Sequence, residues 1–305
     1  MNKIAISIGD LNGIGIEIAL RSHEEITAFC EPIYCIDETL LLEASKLLNI
    51  PIPNNMQLAH IGDTFEIMPN QVTSKSGGYS FRSFKKAYDL VSSGGADAIC
   101  TLPIHKEAWS LAGINYKGHT DALRDFTGEE AIMVLGCEEL YVALFSEHIA
   151  LKDVPSMVTK QNLVEFFTLY YEKMKNEVIG VLGLNPHAGD NGVIGDEEKI
   201  IREAIDSINK QLGKEVFIGP LVPDTAFTKN SLRQCNRIIA MYHDQGLAPL
   251  KALYFDESIN ISLSRKIVRT SVDHGTAMDI AYKNANPNRK SYINAIKAAV
   301  NALNG

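Results

Sequence analysis

The sequence has no excess of cations. Across 305 residues, 29 Lys and Arg stand against 37 Asp and Glu, a formal net charge of −8. That balance argues against a nucleic-acid binder, which needs a basic surface. There is no C-x-x-C pair, and the five cysteines (Cys30, Cys35, Cys100, Cys137, Cys235) are too odd a number to pair fully within one chain. Such a set suits free, mostly buried thiols in a reducing cytosol. An uninterrupted apolar run of about 20 residues is also missing, which leaves no membrane span. Asp10 interrupts the apolar stretch of MNKIAISIGD before it is long enough for a secretory signal. The expectation is a soluble cytoplasmic protein with neither nucleic acid nor membrane as partner. Low-complexity linkers, charge blocks and internal repeats are absent as well, so two medium domains, the number this length favours, are expected to be interwoven.

What is present is an ordinary globular composition, 46% apolar and 22% charged, able to bury a large core. Short apolar runs at 3–8, 32–36, 96–101, 131–136, 140–145, 178–184, 215–219 and 237–242 read as buried strands. Helical stretches at 81–93, 162–175, 196–212 and 289–303 fall between or after them. In the third, Ile200, Ile201, Ala204, Ile205 and Ile208 recur at three- and four-residue spacing and form an apolar stripe. Strands alternating with helices imply crossover units: an α/β fold with mainly parallel sheets covered on both faces.

The chemistry-bearing residues concentrate in connections that follow strands, where α/β sheets place their ligands. GDLNGIGIEIA (9–19) has glycines for a tight turn and a following helix whose N–H groups could face an anion. It lacks the G-x-G-x-x-G spacing, so a Rossmann dinucleotide site is not expected there. In TLPIHKEAW (101–109) and GHTDALRDFTG (118–128), Thr101, Lys106, His119 and Thr120 are suited to a phosphate or carboxylate. Taken alone, Thr120 reads better as a helix cap and Lys106 as a solvated charge. Three histidines, His148, His187 and His243, sit in separate loops too far apart for a zinc finger. Three imidazoles with open coordination positions would make a catalytic metal site, and Asn185, Asp244 and Gln245 could fix their tautomers. In 250–283, Lys251, Asn260 and Arg269 offer cations and an amide to an anion. DHGTAMDIA reads as a loop leading into a helix that starts near Thr276, with Asp279 as a polar partner.

Together, GDLNGIGIEI, TLPIHK, GHTD, LGLNPHAGDNGVIGDEE, GPLVPDTAF, MYHDQGL and VRTSVDHGTAMDIA resemble the 4-hydroxythreonine-4-phosphate dehydrogenase family of vitamin B6 biosynthesis. The resemblance runs from residue 4 to about 282. It extends more widely to isocitrate- and isopropylmalate-dehydrogenase-like enzymes, whose nicotinamide site is unlike the Rossmann one. It implies two interleaved α/β/α lobes, residues 1–115 with 270–305 on the cofactor side and 116–269 bearing the metal ligands and dimer interface, with the active site in the cleft. It implies one divalent metal per site (zinc, magnesium or cobalt) on His148, His187 and His243. Substrate contacts fall on His119, Thr120, Lys251, Asn260 and Arg269. His274, Gly275, Thr276, Ala277 and Asp279 would line a site for NAD or NADP, and Lys106 or Asp244 would take the proton. The implied reaction is oxidation of 4-phosphooxy-L-threonine, a small phosphorylated amino acid, followed by decarboxylation, in a homodimer with shared active sites. Oxidation of D-threonate or D-erythronate 4-phosphate, and metal-dependent phosphate hydrolysis, are the alternatives. Leu11 and Asn12 stand where the family pattern has Pro and Ala, Asp121 where it has Glu, and Glu147 where Thr is common; none removes a ligand.

Overall fold

A strand that is apolar on both faces needs cover on both, and this chain supplies it with amphipathic helices. A computed structural model describes residues 1–129 and 131–304, which form two compact units. One joins Met1–Ala131 to Ile259–Asn304; the other is Ile132–Ser258.

The first unit begins with β1 (Lys3–Ser7), α1 (Gly15–Ile26), β2 (Glu31–Cys35), α2 (Glu38–Leu48), β3 (Gln57–Leu58) and α3 (Ser74–Ser92). It continues with β4 (Ala98–Thr101), α4 (Lys106–Leu111) and α5 (His119–Thr127). The second unit holds β5 (Ile132–Cys137), β6 (Leu140–Leu144), α6 (Val154–Met157), α7 (Lys160–Met174), β7 (Ile179–Leu182) and α8 (Glu197–Leu212). Then come β8 (Phe217–Leu221), α9 (Pro223–Ala226), α10 (Lys229–Gln234), β9 (Arg237–Ala240) and α11 (His243–Tyr254). The chain returns to the first unit with β10 (Ile259–Leu263), β11 (Val268–Val272) and α12 (Lys290–Asn304).

In the first unit the strand order is β3-β2-β1-β4-β11-β10, parallel except for the β10–β11 pair. In the second it is β5-β6-β9-β7-β8, parallel except for β5–β6. All eight apolar runs form strands and all four helical stretches lie in helices, as the α/β pattern predicts. In α8 the stripe is buried at Ile201, Ala204, Ile205 and Ile208, while Ile200 is half-buried.

The unit edges differ from the expected lobes. Residues 116–129 and 259–269, expected in the second lobe, belong to the first unit; Gly305, the last residue of the expected first lobe, lies outside the described residues. The physical cause is β11, which pairs with β4 through Arg269↔Ile99, Thr270↔Cys100 and Ser271↔Thr101 and brings β10 with it. INISL and VRTSV are too polar to stand out as buried runs, so neither strand is among the eight predicted. The five cysteines are buried and free.

One core cluster of the first unit gathers Ala5, Phe84, Ile99, Trp109, Ala122 and Leu123. It requires α3 and α4 to approach closely. At Gly77, inside α3, a Cβ would lie 2.0 Å from the carbonyl oxygen of Ala108. Only glycine permits that crossing, which outweighs its poor helix propensity. The approach seats Trp109 so that its indole N–H donates to Ser80 Oγ at 2.8 Å.

Candidate active site

Side chains alternate across a strand with a period of two, and residues paired across neighbouring strands share a face. Ser262 pairs with Arg269 and Asn260 with Ser271 on β10–β11, while Ser271 pairs with Thr101 on β4. One face of the sheet therefore carries Thr101, Asn260, Ser262 and Arg269. The N-terminus of α5 adds His119 and Thr120 as its first two residues, after Gly118 rather than with Thr120 as the cap.

Arg269 is 4% exposed, and among the described residues no carboxylate pairs with it. Its Nε and Nη2 donate to Thr101 Oγ1 at 3.1 and 2.7 Å. Nη1 makes only long contacts, 3.4 Å to Thr120 Oγ1 and 3.5 Å to Ser262 Oγ. Nη2 also lies 3.2 Å from His119 Nδ1. Burial lowers the guanidinium to about 10, which leaves it charged at neutral pH. His119, edge-on to Phe84 and Trp109, is held well below the ordinary imidazole range by burial and then by the charge of Arg269. It is neutral. A buried cation without a counter-charge is costly unless an anion joins it, and the orphaned, buried His119 Nε2 and Asn260 Oδ1 add unfilled hydrogen-bonding capacity. Lys106, exposed at the start of α4, has its Cε 3.8 Å from the Cβ position of Gly118, beside this pocket.

The second unit places the three histidines at one sheet edge. Strands β6, β9 and β7 are adjacent and parallel, so the segments after their carboxyl ends emerge on the same side: His148 and His187 in connections, His243 as the first residue of α11 rather than in a loop. The rings of His148 and His243 are 5.5 Å apart. Asp244 Oδ1 lies 2.7 Å from His243 Nδ1, which engages that nitrogen and leaves Nε2 as the ring's other donor atom. Gln245 and Asn185 do not play that part. Gln245 accepts from Met241 N–H and donates to the Gly183 carbonyl, both at 2.7 Å, and Asn185 bonds Glu197 and Glu198.

His187 opens a run of six residues with positive φ, 52°, 51°, 77°, 44°, 57° and 94° through Gly192. Left-handed backbone costs non-glycine residues roughly 1–2 kcal/mol each, so the loop needs a fastening. Buried Glu198 supplies it, accepting from Asn185 N–H at 2.7 Å and Asn185 Nδ2 at 3.0 Å. Sequence reading missed Glu198; its signal is the GDEE that opens α8. Among the described residues no three His, Cys, Asp or Glu side chains stand close enough together to hold a metal. The donor chemistry of the His148–His243 pair nevertheless fits a divalent cation, with a carboxylate orienting one ring. Lys251 lies on α11 with its ammonium 5.7 Å from the Phe255 ring.

In the glycine-rich turn after β1 the N–H groups of Asn12, Gly13 and Ile14 are taken up within the protein. Buried Asp10 accepts from Asn12 N–H at 3.0 Å and Ser76 Oγ at 3.1 Å, and burial raises its pKa. Ile14 N–H donates to the Thr276 carbonyl at 3.0 Å. A Cβ at Gly13 would lie 2.7 Å from that same oxygen, so the turn is a dock for the DHGTAMDIA segment. That segment does not begin a helix near Thr276. Ala277 has φ +40°, and only a short 3-10 turn, Met278–Ile280, follows. The left-handed Ala277 breaks the register a helix needs. Tyr282 ties the segment further, donating to the Leu11 carbonyl at 2.7 Å. Among the described residues His274 Nε2 is buried without a partner, Gly275 has open space where a Cβ would stand, and Thr276 is buried. Asp279 lies in the 3-10 turn.

Fold and site together define an α/β protein with a buried cationic pocket in one unit and a histidine-bearing sheet edge in the other. The chain matches the family model described as pyridoxal phosphate biosynthetic protein PdxA over residues 28–299. It is 57% identical to a 4-hydroxythreonine-4-phosphate dehydrogenase of Sulfurimonas denitrificans over 98% of this chain and 97% of that one. The crystal structure of 4-hydroxythreonine-4-phosphate dehydrogenase from Klebsiella pneumoniae superposes with a TM-score of 0.82 at 31% identity, covering 99% of this chain and 100% of that one. A terephthalate 1,2-cis-dihydrodiol dehydrogenase from Burkholderia xenovorans shares the fold at TM-score 0.74 and 21% identity, over 98% of both chains. The chain belongs to the PdxA family.

Proposed function

We propose that this protein oxidises 4-phosphooxy-L-threonine at its C3 hydroxyl, and that the resulting β-keto acid loses carbon dioxide to leave 3-amino-2-oxopropyl phosphate, within vitamin B6 biosynthesis. The observation that carries this is the buried Arg269 guanidinium, which among the described residues has no carboxylate partner, in a chain of this family. When bound, a divalent cation (zinc, magnesium or cobalt) supplies Lewis-acid stabilisation of negative charge, and NAD or NADP accepts the hydride.

The protein's own residues then have distinct tasks. Arg269, neutral His119 and Thr120 hold one anionic end of the substrate with donors that need little reorganisation. Lys251 and Asn260 provide a second cation and an amide for its remaining polar groups. His148 and His243, whose rings already stand together, would hold the metal with His187 as the third nitrogen donor. Asp244 is engaged with His243 Nδ1 and serves to orient that ring, which leaves Lys106 to accept the hydroxyl proton. His274, Gly275, Thr276, Ala277 and Asp279 line the nicotinamide side, held in place by the Asp10 turn. In the decarboxylation the C1–C2 bond breaks, its electron pair stays on C2, and a proton is then added there.

A homodimer with shared active sites is part of the proposal. Exposed apolar residues flank two of the histidines in sequence, with Leu151 64% exposed after His148 and Val193 80% exposed after His187, and such a surface is suited to a second subunit. A cytoplasmic location is proposed as well; among the described residues no helix is long and apolar enough to cross a membrane. The test is a substrate panel with metal, NAD and NADP, read by absorbance of the reduced cofactor. Turnover of 4-phosphooxy-L-threonine over D-threonate and D-erythronate 4-phosphates is expected. No reduced nicotinamide with either cofactor overturns the proposal.

A further inference from the structure

We propose that Thr101 is the positioning residue of the anion pocket: its hydroxyl oxygen sets the rotation of the Arg269 guanidinium and, through it, the tautomer of His119. This rests on the reading of Arg269 as a substrate contact. A buried arginine is ordinarily oriented by a carboxylate that grips its planar fork. Here a neutral oxygen does so, Thr101 Oγ1 accepting from both Nε and Nη2 at 3.1 and 2.7 Å. Both lone pairs of the hydroxyl are occupied, and its own proton is directed to the Thr270 carbonyl at 3.5 Å. The guanidinium is thereby fixed without being neutralised, and its charge remains for the ligand. An Asp or Glu at 101 would orient the fork equally well and repel the anion.

Thr101 is itself well held. It ends β4 between β1 and β11, is fully buried, and has the restricted χ1 of a β-branched residue. With Nε and one Nη2 hydrogen held by Thr101, the other Nη2 hydrogen points to His119 Nδ1 at 3.2 Å. Arginine can only donate, so Nδ1 must accept and the imidazole proton resides on Nε2, a buried atom with no other partner. The two Nη1 hydrogens, on contacts of 3.4 and 3.5 Å, are the ones a ligand oxygen can capture. Thr101 thus determines which donors, Nη1–H and His119 Nε2–H, meet the substrate.

Steady-state kinetics on Thr101→Val, which keeps the shape and removes the oxygen, tests the idea beside Thr101→Ser and Arg269→Lys. The expected result for Thr101→Val is a rise in KM of roughly 10-fold, with kcat falling much less. The inhibition constant of inorganic phosphate should rise in the same proportion, and Thr101→Ser should recover most of the lost affinity. If Arg269→Lys raises KM and the phosphate constant but Thr101→Val moves neither, the positioning role is overturned while the pocket stands. If Arg269→Lys moves neither, the pocket assignment itself fails. Nitrogen NMR of isotopically labelled histidine in the unmutated protein gives a second measurement, independent of any variant's folding. Protonated Nε2 and bare Nδ1 at His119 are expected, and a protonated Nδ1 overturns the proposal.

Discussion

Replacing His119 by Gln should remove a defined part of the pH dependence of stability. In the folded chain burial and then Arg269 hold this imidazole neutral, far below its ordinary value of 6.5. In the unfolded chain it titrates normally, so on acidification the unfolded state takes up a proton that the folded state refuses. Stability from this group is therefore complete above pH 6.5 and is lost as pH falls through it. Between about pH 7.5 and about pH 5.5 the unfolded state gains roughly RT ln(11/1.1), about 1.4 kcal/mol. His23, also lowered by burial, contributes in the same direction but equally in both proteins, so it cancels in the comparison. Gln keeps an oxygen that can accept from Arg269 and does not titrate. Urea unfolding is read by the fluorescence of Trp109, the single tryptophan, whose ring lies 5.4 Å from that of His119. The unmutated protein should lose about 1.4 kcal/mol more than His119→Gln across this interval. Equal losses would refute the buried neutral imidazole and the donor role derived from it.

Two further outcomes test how the scaffold holds the functional loops. Gly77→Ala forces a methyl against the Ala108 carbonyl and should destabilise the first unit by about 3 kcal/mol, the upper part of the overpacking range; an unchanged urea midpoint would contradict the close α3–α4 crossing. Glu198→Ala unfastens the left-handed loop of His187 and should weaken zinc binding, measured by calorimetric titration, by roughly 10- to 100-fold. Unaltered zinc affinity would remove Glu198 from that role.

Much of the fold was legible because strong apolar runs announce buried strands whatever their neighbours. The three histidines could likewise be placed after strands, and the parallel order β6-β9-β7 is what gathers them at one edge. The pocket around Arg269 was legible only as separate candidates. Its partners lie at 101, 119, 120 and 262, and strand register, which no local pattern encodes, brings them together. Polar β10 and β11 hid the same register and shifted the expected lobe edges. The glycine-rich turn misled for a different reason. Its spacing suits an anion, but the Asp10 carboxylate takes the Asn12 N–H, and the N–H groups of Gly13 and Ile14 go to the carbonyls of Asp10 and Thr276. At Ala277 a single left-handed residue, invisible in composition, replaced an expected helix by a short turn.

The divided first unit also bears on the order of events during synthesis. Thr101 and Arg269 are 168 residues apart, and the entire second unit emerges from the ribosome between them. That unit is one continuous stretch and can be complete while β4 still has an unpaired edge, the kind of edge that invites wrong partners. β11 closes this edge and carries the guanidinium in the same movement. A chain interrupted before β11 therefore lacks both the sheet partner of β4 and the anion pocket, so ligand affinity in that pocket reports that synthesis has passed β11.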